Sequence, residues 1–303
     1  MEAMVIEDAL RTRPDDVAAW HAYSEHLLER GDARGTLIRL EQSLARTRPA
    51  DRPGVRQEIA DLVARHENGW DDGLPDGARV LSRRHGFAAE VAVEWSDGVR
   101  EIVEQVLRAP FVTTLRITTN AEDERDDDEE ERDEEYNYAV DRGDPRPGRQ
   151  DLGVFAGLDL GRLTELDLAY VSVGYDGAQT LAATFASDRL RALDLRYCRV
   201  ADTGLAALAA CPRLGGLRRL HLQRNRLTAE GVRHLHRFTE LTELDLRYND
   251  LGADGARALV AAPFAGALER LWLYDSDVGR DGVATMAQAA SLPASLRSLW
   301  RCV

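Results

Sequence analysis

The chain has 303 residues, 44% hydrophobic and 30% charged, with a formal net charge of −14 at pH 7. That balance argues against nucleic acid as a partner, which needs a net basic stripe, and no segment is long and apolar enough to span a membrane. The three cysteines, Cys198, Cys211 and Cys302, show no paired spacing, which excludes a disulfide framework and fits a reducing cytoplasm.

From the first residue, MEAMVIEDAL carries acids and no basic start, so it does not read as a secretory signal. Residues 3–67 read as four helices. The first covers Ala3–Arg11 and ends before Pro14. The second follows the Asp15-Asp16 cap, carries Val17, Trp20, Tyr23, Leu27 and Leu28 as an apolar stripe, and stops at Gly31. The third carries Leu37, Ile38, Leu40 and Leu44. The fourth starts after Pro53 and carries Val55, Ile59, Leu62 and Val63. Trp20 and Tyr23 read as core residues of this helical domain, placed at residues 1–75.

A β/α junction is expected at 76–111. Val91 and Val93 alternate as a strand should, and Val99–Leu107 reads as a helix. The segment DDVAAWHAYSEHLLERGDARGTLIRLEQSLAR resembles the short repeat-companion domain that precedes leucine-rich repeats in many bacterial proteins. A paired-acid helix start, an aromatic helix, an ERGD-type turn and an RG-x-x-I-R-L helix carry the likeness. Residues 79–111, with R-x-GF, a strand and a helix, resemble the stretch that joins that domain to the repeats. The resemblance covers about residues 5–118 and implies a bacterial, cytoplasmic binding protein; it implies no enzymatic activity. All 39 basic residues are arginine, which reads as high-GC bacterial codon usage and carries no function.

VTTLRITTN, Val112–Asn120, reads as a strand phrase. Directly after it, AEDERDDDEEERDEE at 121–135 holds twelve acids and two arginines, so most of the net charge is local. A lure for a basic partner or a nucleic-acid mimic is one reading. A solvated, disordered insertion over about 121–147 is the reading adopted here.

Five phrases then follow in register: LTELDLAYV, LRALDLRYC, LRRLHLQRN, LTELDLRYN and LERLWLYDS, opening at Leu163, Leu190, Leu217, Leu241 and Leu268. An aliphatic residue recurs ten positions in, at Val173, Val200, Leu227, Leu251 and Val278. A glycine recurs fourteen positions in, at Gly177, Gly204, Gly231, Gly255 and Gly282. Leucines at the fourth and sixth places point to one face of a short strand, and the residues after each glycine have helical spacing. The pattern identifies residues 112–303 as leucine-rich repeats, and the long helical copies resemble the ribonuclease-inhibitor class. The fold class expected is α/β: a solenoid with a parallel sheet on its concave side and helices on its convex side, preceded by a small α-helical domain. LRSLWRCV, from Leu296, reads as one more strand with no capping helix after it, hence a possible self-association edge.

No phosphate-binding loop, nucleophile elbow or zinc-protease motif occurs, and none of the seven histidines has a metal-ligand partner at the right spacing. Neither a cofactor nor a metal is expected, and no enzymatic activity. Cys198 sits at the repeat's ninth, Asn/Cys place and reads as structural; Cys302 is the one cysteine placed to be exposed. DSDVGRDG, at Asp275–Gly282, lacks the glycine and terminal Glu of a calcium loop.

The third, fifth, seventh and eighth places of each phrase point away from the leucines, and the last three of these supply the candidate protein-binding residues. The fifth contributes Asp167, Asp194, His221, Asp245, Trp272 and Trp300. The seventh contributes Arg196, Arg247 and Tyr274, and the eighth Tyr170, Tyr197, Arg224 and Tyr248. Tyr, Trp and Arg dominate protein interfaces. Over the second, third, fifth, seventh and eighth places of the five phrases, acids and arginines balance, seven of each, which suits a protein partner better than nucleic acid. The reading is a non-catalytic interaction scaffold. The alternative is a regulatory or substrate-recruiting subunit of an enzyme encoded nearby, docking through the N-terminal helical domain.

Overall fold

A computed structural model describes residues 2–70, 73–119 and 152–300. The acidic run, Asn120 and Cys302 lie outside the described residues. The chain divides into two compact units, Met1–Ala92 with Ile102–Thr113, and Val93–Glu101 with Thr114–Val303.

In the first unit, α1 (Glu2–Thr12), α2 (Val17–Glu29), α3 (Ala33–Arg46) and α4 (Arg52–His66) follow the expected order. The ERGD turn has a plain physical basis. Gly31 takes φ +71° to end α2, and the Asp32 carboxylate caps α3 by accepting from the Arg34 N–H at 2.9 Å. A Cβ on Gly35 would meet the Ser24 carbonyl oxygen at 2.7 Å, so α2 and α3 approach closely only at a glycine. Trp20, Tyr23, Leu27, Ile38, Phe87 and Phe111 share one apolar core with Leu10. Val17 departs from its expected place in the stripe and is exposed. β1 (Ala78–Arg84) and β2 (Phe87–Glu94) form a hairpin whose two turn residues, His85 and Gly86, both have positive φ, as a tight primed turn requires.

The second unit is the solenoid. It begins with residues 93–101, whose Trp95 ring meets Phe155 edge-on at 5.9 Å. β3 (Thr114–Thr118), β4 (Glu165–Asp167), β5 (Ala192–Asp194), β6 (Arg219–His221), β7 (Glu243–Asp245) and β8 (Arg270–Trp272) pair in parallel, each with the next. The register aligns Leu115, Leu166, Leu193, Leu220, Leu244 and Leu271 in one row. The first five are buried, as are the leucines at the first place and the aliphatic residues at the sixth. Helix α5 is Val99–Arg108. Helices α6 (Gly174–Thr184), α7 (Ala201–Ala209), α8 (Ala229–Leu235), α9 (Gly252–Val260) and α10 (Asp275–Gln288) each pack on the next.

Helices α6 to α9 start two or three residues before the landmark glycine rather than after it. The glycine lies inside the first turn, four residues beyond the aliphatic landmark, and the two touch. A Cβ on Gly204 would meet Val200 Cγ1 at 2.8 Å, on Gly255 Leu251 Cβ at 2.6 Å, and on Gly282 Val278 Cβ at 2.6 Å. Two of the three sequence landmarks are thus one packing contact, repeated in every coil.

The ninth place holds the coils together. Asn225 Nδ2 donates to the Leu195 carbonyl at 2.7 Å, and its Oδ1 accepts the Val200 N–H at 3.0 Å. Asn249 Nδ2 donates to Leu222 and Leu246 carbonyls, both at 2.9 Å, while its Oδ1 accepts from the Asn225 and Leu227 N–H groups. Cys198 plays the same part with a thiol, donating to the Leu168 carbonyl at 3.0 Å. At the last coil Asp277 replaces Ser276 in this role. It is buried and accepts the Tyr274 N–H at 2.7 Å.

The expected strand at Leu296 is absent. Residues Ala294–Leu299 form α11, with Pro293 at its N-cap, and Trp300 at its C-cap is buried. The phrase begun at Leu296 has Arg301 at the sixth place where every strand of the sheet has an aliphatic residue, so it has no second side chain to drive strand burial. With Leu292 and Leu296 also buried, this helix packs on α10, and the strand expected at Leu296 is replaced by a helix.

Candidate functional site

Five of the thirteen candidate residues, Asp167, Asp194, His221, Asp245 and Trp272, end the strands; seven more lie two or three residues further on, and Trp300 stands apart at the end of α11. The fifth place forms the middle row, in register as Arg116, Asp167, Asp194, His221, Asp245 and Trp272. Parallel strands set this row at about 4.8 Å per step, so acids side by side need counter-charges. Asp167 has Arg116 at 2.9 Å. Asp194 takes Arg196 Nε at 2.9 and 2.8 Å, and Asp245 takes Arg247 Nε and Nη2 at 3.0 and 2.6 Å. The spacing Asp-x-Arg puts both side chains on one face of the chain, and the same carboxylates accept the N–H of the residue two on.

His221 sits between Asp194, 3.2 Å from Nδ1, and Glu243, 3.1 Å from Nε2. Carboxylates only accept, so this setting calls for an N–H on both ring nitrogens, that is, imidazolium. Burial opposes that charge, but the contacts with Asp194 and Glu243 outweigh it and hold the His221 pKa above its ordinary value. Burial likewise opposes the Asp194 anion, and hydrogen bonds from His221 and Arg196 outweigh it, so its carboxyl titrates below the usual range. Asp167 goes the other way: burial, then the negative charge of Asp194, push it up. Trp272 meets the His221 ring edge-on at 5.8 Å.

Glu243 was not singled out from the sequence. It is buried, accepts from His221, and takes Arg270 Nε at 2.8 Å. Arg219 pairs with Glu165 at 2.5 Å. Their third-place spacing was the readable signal; their pairing was not, because Glu243 meets Arg270 one coil on and Glu165 meets Arg219 two coils on.

The eighth place forms a rim. Tyr170 and Tyr197 stack at 4.6 Å with planes 15° apart, Arg224 lies 5.9 Å from the Tyr197 ring, and Tyr248 meets Tyr274 edge-on at 5.1 Å. Tyr248 and Tyr274 are exposed. Tyr170, Tyr197, Arg224 and Tyr248 all have left-handed backbones, with φ of +68°, +58°, +51° and +57°. Bulky side chains cost roughly 1–2 kcal/mol in that conformation, which glycine or asparagine tolerates better.

Burial pushes the Cys198 thiol well above its ordinary value, which removes it as a nucleophile. Groups of three or more metal-ligating side chains do not occur among the described residues.

A solenoid of strand–helix coils with a parallel sheet defines a repeat protein. The family model described as "Leucine Rich repeat" matches residues 190–209, 217–235 and 239–260, so this stretch is built of leucine-rich repeats, which are generally modules for protein interaction and typically non-catalytic. No curated protein matches the chain.

Proposed function

We propose that this protein is a non-catalytic scaffold of the bacterial cytoplasm. It binds a protein partner through the concave face of its repeats, with residues 1–75 and 76–111 serving as companion domain and junction. The observation that carries this is the left-handed rim. Four successive coils hold Tyr, Tyr, Arg and Tyr where the backbone favours small residues. Strain kept at four successive coils points from structure to use, and Tyr and Arg are the side chains that anchor interfaces. The repeat class supports a binding role, and the free Cys198 and Cys211 thiols suit a reducing compartment.

The experiment is capture from the native host with the parent chain and with Tyr197→Asn plus Tyr248→Asn. Asparagine accepts the left-handed backbone, so the melting temperature should hold while the specific partner is lost. Retention of that partner at full affinity would refute the concave-face assignment. If capture instead depends on surface changes in residues 1–75, the alternative stands: a subunit that docks an enzyme through its helical domain.

A further inference from the structure

Three ion pairs of the open face are layered, unlike Arg219–Glu165, whose two side chains are equally exposed. Asp245 has its side chain 4% exposed and Glu243 9%, while their partners Arg247 and Arg270 are 29% and 61% exposed. Asp194 is 15% exposed against 35% for Arg196. The carboxylates form a floor, and the guanidiniums lie over it. A partner's lysine would meet few accessible acids here, whereas a partner's carboxylate meets N–H donors first.

The geometry of the pairs sharpens this. Arg196, Arg247 and Arg270 each give Nε and Nη2 to the buried acid. That uses one edge of the planar fork and leaves the Nη1 N–H groups outside the pair; the Arg247 guanidinium also reaches Tyr274. The floor acids fix each guanidinium in place, so little side-chain freedom is lost when a second acceptor arrives. The pairs are neutral in sum, so a polyanion gains no long-range attraction from them. Isolated carboxylates on a polypeptide gain charge-assisted, directional hydrogen bonds.

We infer that the face recognises an acidic peptide segment of its partner, with carboxylates received by Arg196, Arg247 and Arg270 and flanking apolar groups resting on the tyrosine rim. This rests on the interaction reading above and names the partner's chemistry.

The test is selection of a random-peptide library on the full chain, followed by affinity measurement for the selected peptides. The enriched pool should be rich in Asp and Glu. The variant Arg196→Lys with Arg270→Lys keeps both internal ion pairs, and so the fold by circular dichroism, but removes the planar fork. It should weaken the selected peptides about tenfold or more. Changing both arginines to Gln should abolish binding; if that variant unfolds, the lysine variant decides alone. A pool that is basic or neutral, no enrichment, unchanged affinity in the lysine variant, or displacement of the peptides by a single-stranded oligonucleotide of equal length would each overturn the inference. Should the peptide result fail while host capture still depends on Tyr197 and Tyr248, the scaffold reading survives and only the acidic chemistry falls.

Discussion

Asn249 shows what one side chain does for a coil. Its amide satisfies two carbonyls and two N–H groups inside the solenoid, and each buried group left unpaired costs about 1–3 kcal/mol. Asn249→Ala should therefore cost about 3 kcal/mol or more, read as a shift in denaturant midpoint with the slope unchanged. The ninth place was legible because Asn and Cys are the types that can bridge coils. Ser276 was misleading. α10 starts at Asp275, four places earlier in the phrase than α6, α7 and α9, and the bridging duty falls to Asp277. His221 gives a second test at this scale. Its folded pKa lies above the unfolded value of 6.5. Its contribution is full below that value and is lost as pH rises through the folded pKa. The Asp194 contribution is present above 3.8 and lost as pH falls through its lowered pKa. Denaturant melts from mildly acidic to alkaline pH should show wild-type stability falling where His221→Asn stays flat. Equal slopes would mean that the His221 charge is not coupled to folding.

At the scale of the strand–helix unit, the landmark glycines are steric rather than conformational. Alanine at Gly255 would gain about 1 kcal/mol of helix propensity, but its Cβ would lie 2.6 Å from Leu251 Cβ, an atom fixed to the backbone. Overpacking of this kind costs about 1–3 kcal/mol, so Gly255→Ala should be destabilising on balance. Gly54, in α4, meets nothing within 4 Å, so Gly54→Ala should raise stability by up to about 1 kcal/mol. Thermal melts of the two variants should move in opposite directions. The landmark was visible in the sequence; its contact was not, because the helices were placed after the glycine instead of around it. The site was legible in the same partial way. Counting places found the tyrosine rim and the Asp-x-Arg pairs. The left-handed backbone of the rim comes from how each coil turns, and the burial of Glu243 depends on His221 and Arg270 one coil to either side.

For the solenoid as a whole, coils pack on their neighbours, with the Arg219–Glu165 pair reaching across one, so stability is mostly a sum of local contacts, and among the described strands β8 pairs with β7 alone. This makes the closing helix decisive. Trp300 was expected on the binding face; buried with Leu292 and Leu296 beyond β8, it belongs to the packing of the end coil. Trp300→Ala should cost about 3–5 kcal/mol where an interface residue would leave the fold intact, and the loss should be uneven. Amide exchange should quicken first in α10 and β8, whose Leu271 and Trp272 are only half-buried, and last around β5 and β6, which are covered on both sides. Trp272→Ala, on the open face, should leave this exchange pattern unchanged. Uniform acceleration in Trp300→Ala would show that the coils unfold as one block. No acceleration would show that the end coil stands without its helix and that the sheet edge at β8 is free to meet a second strand.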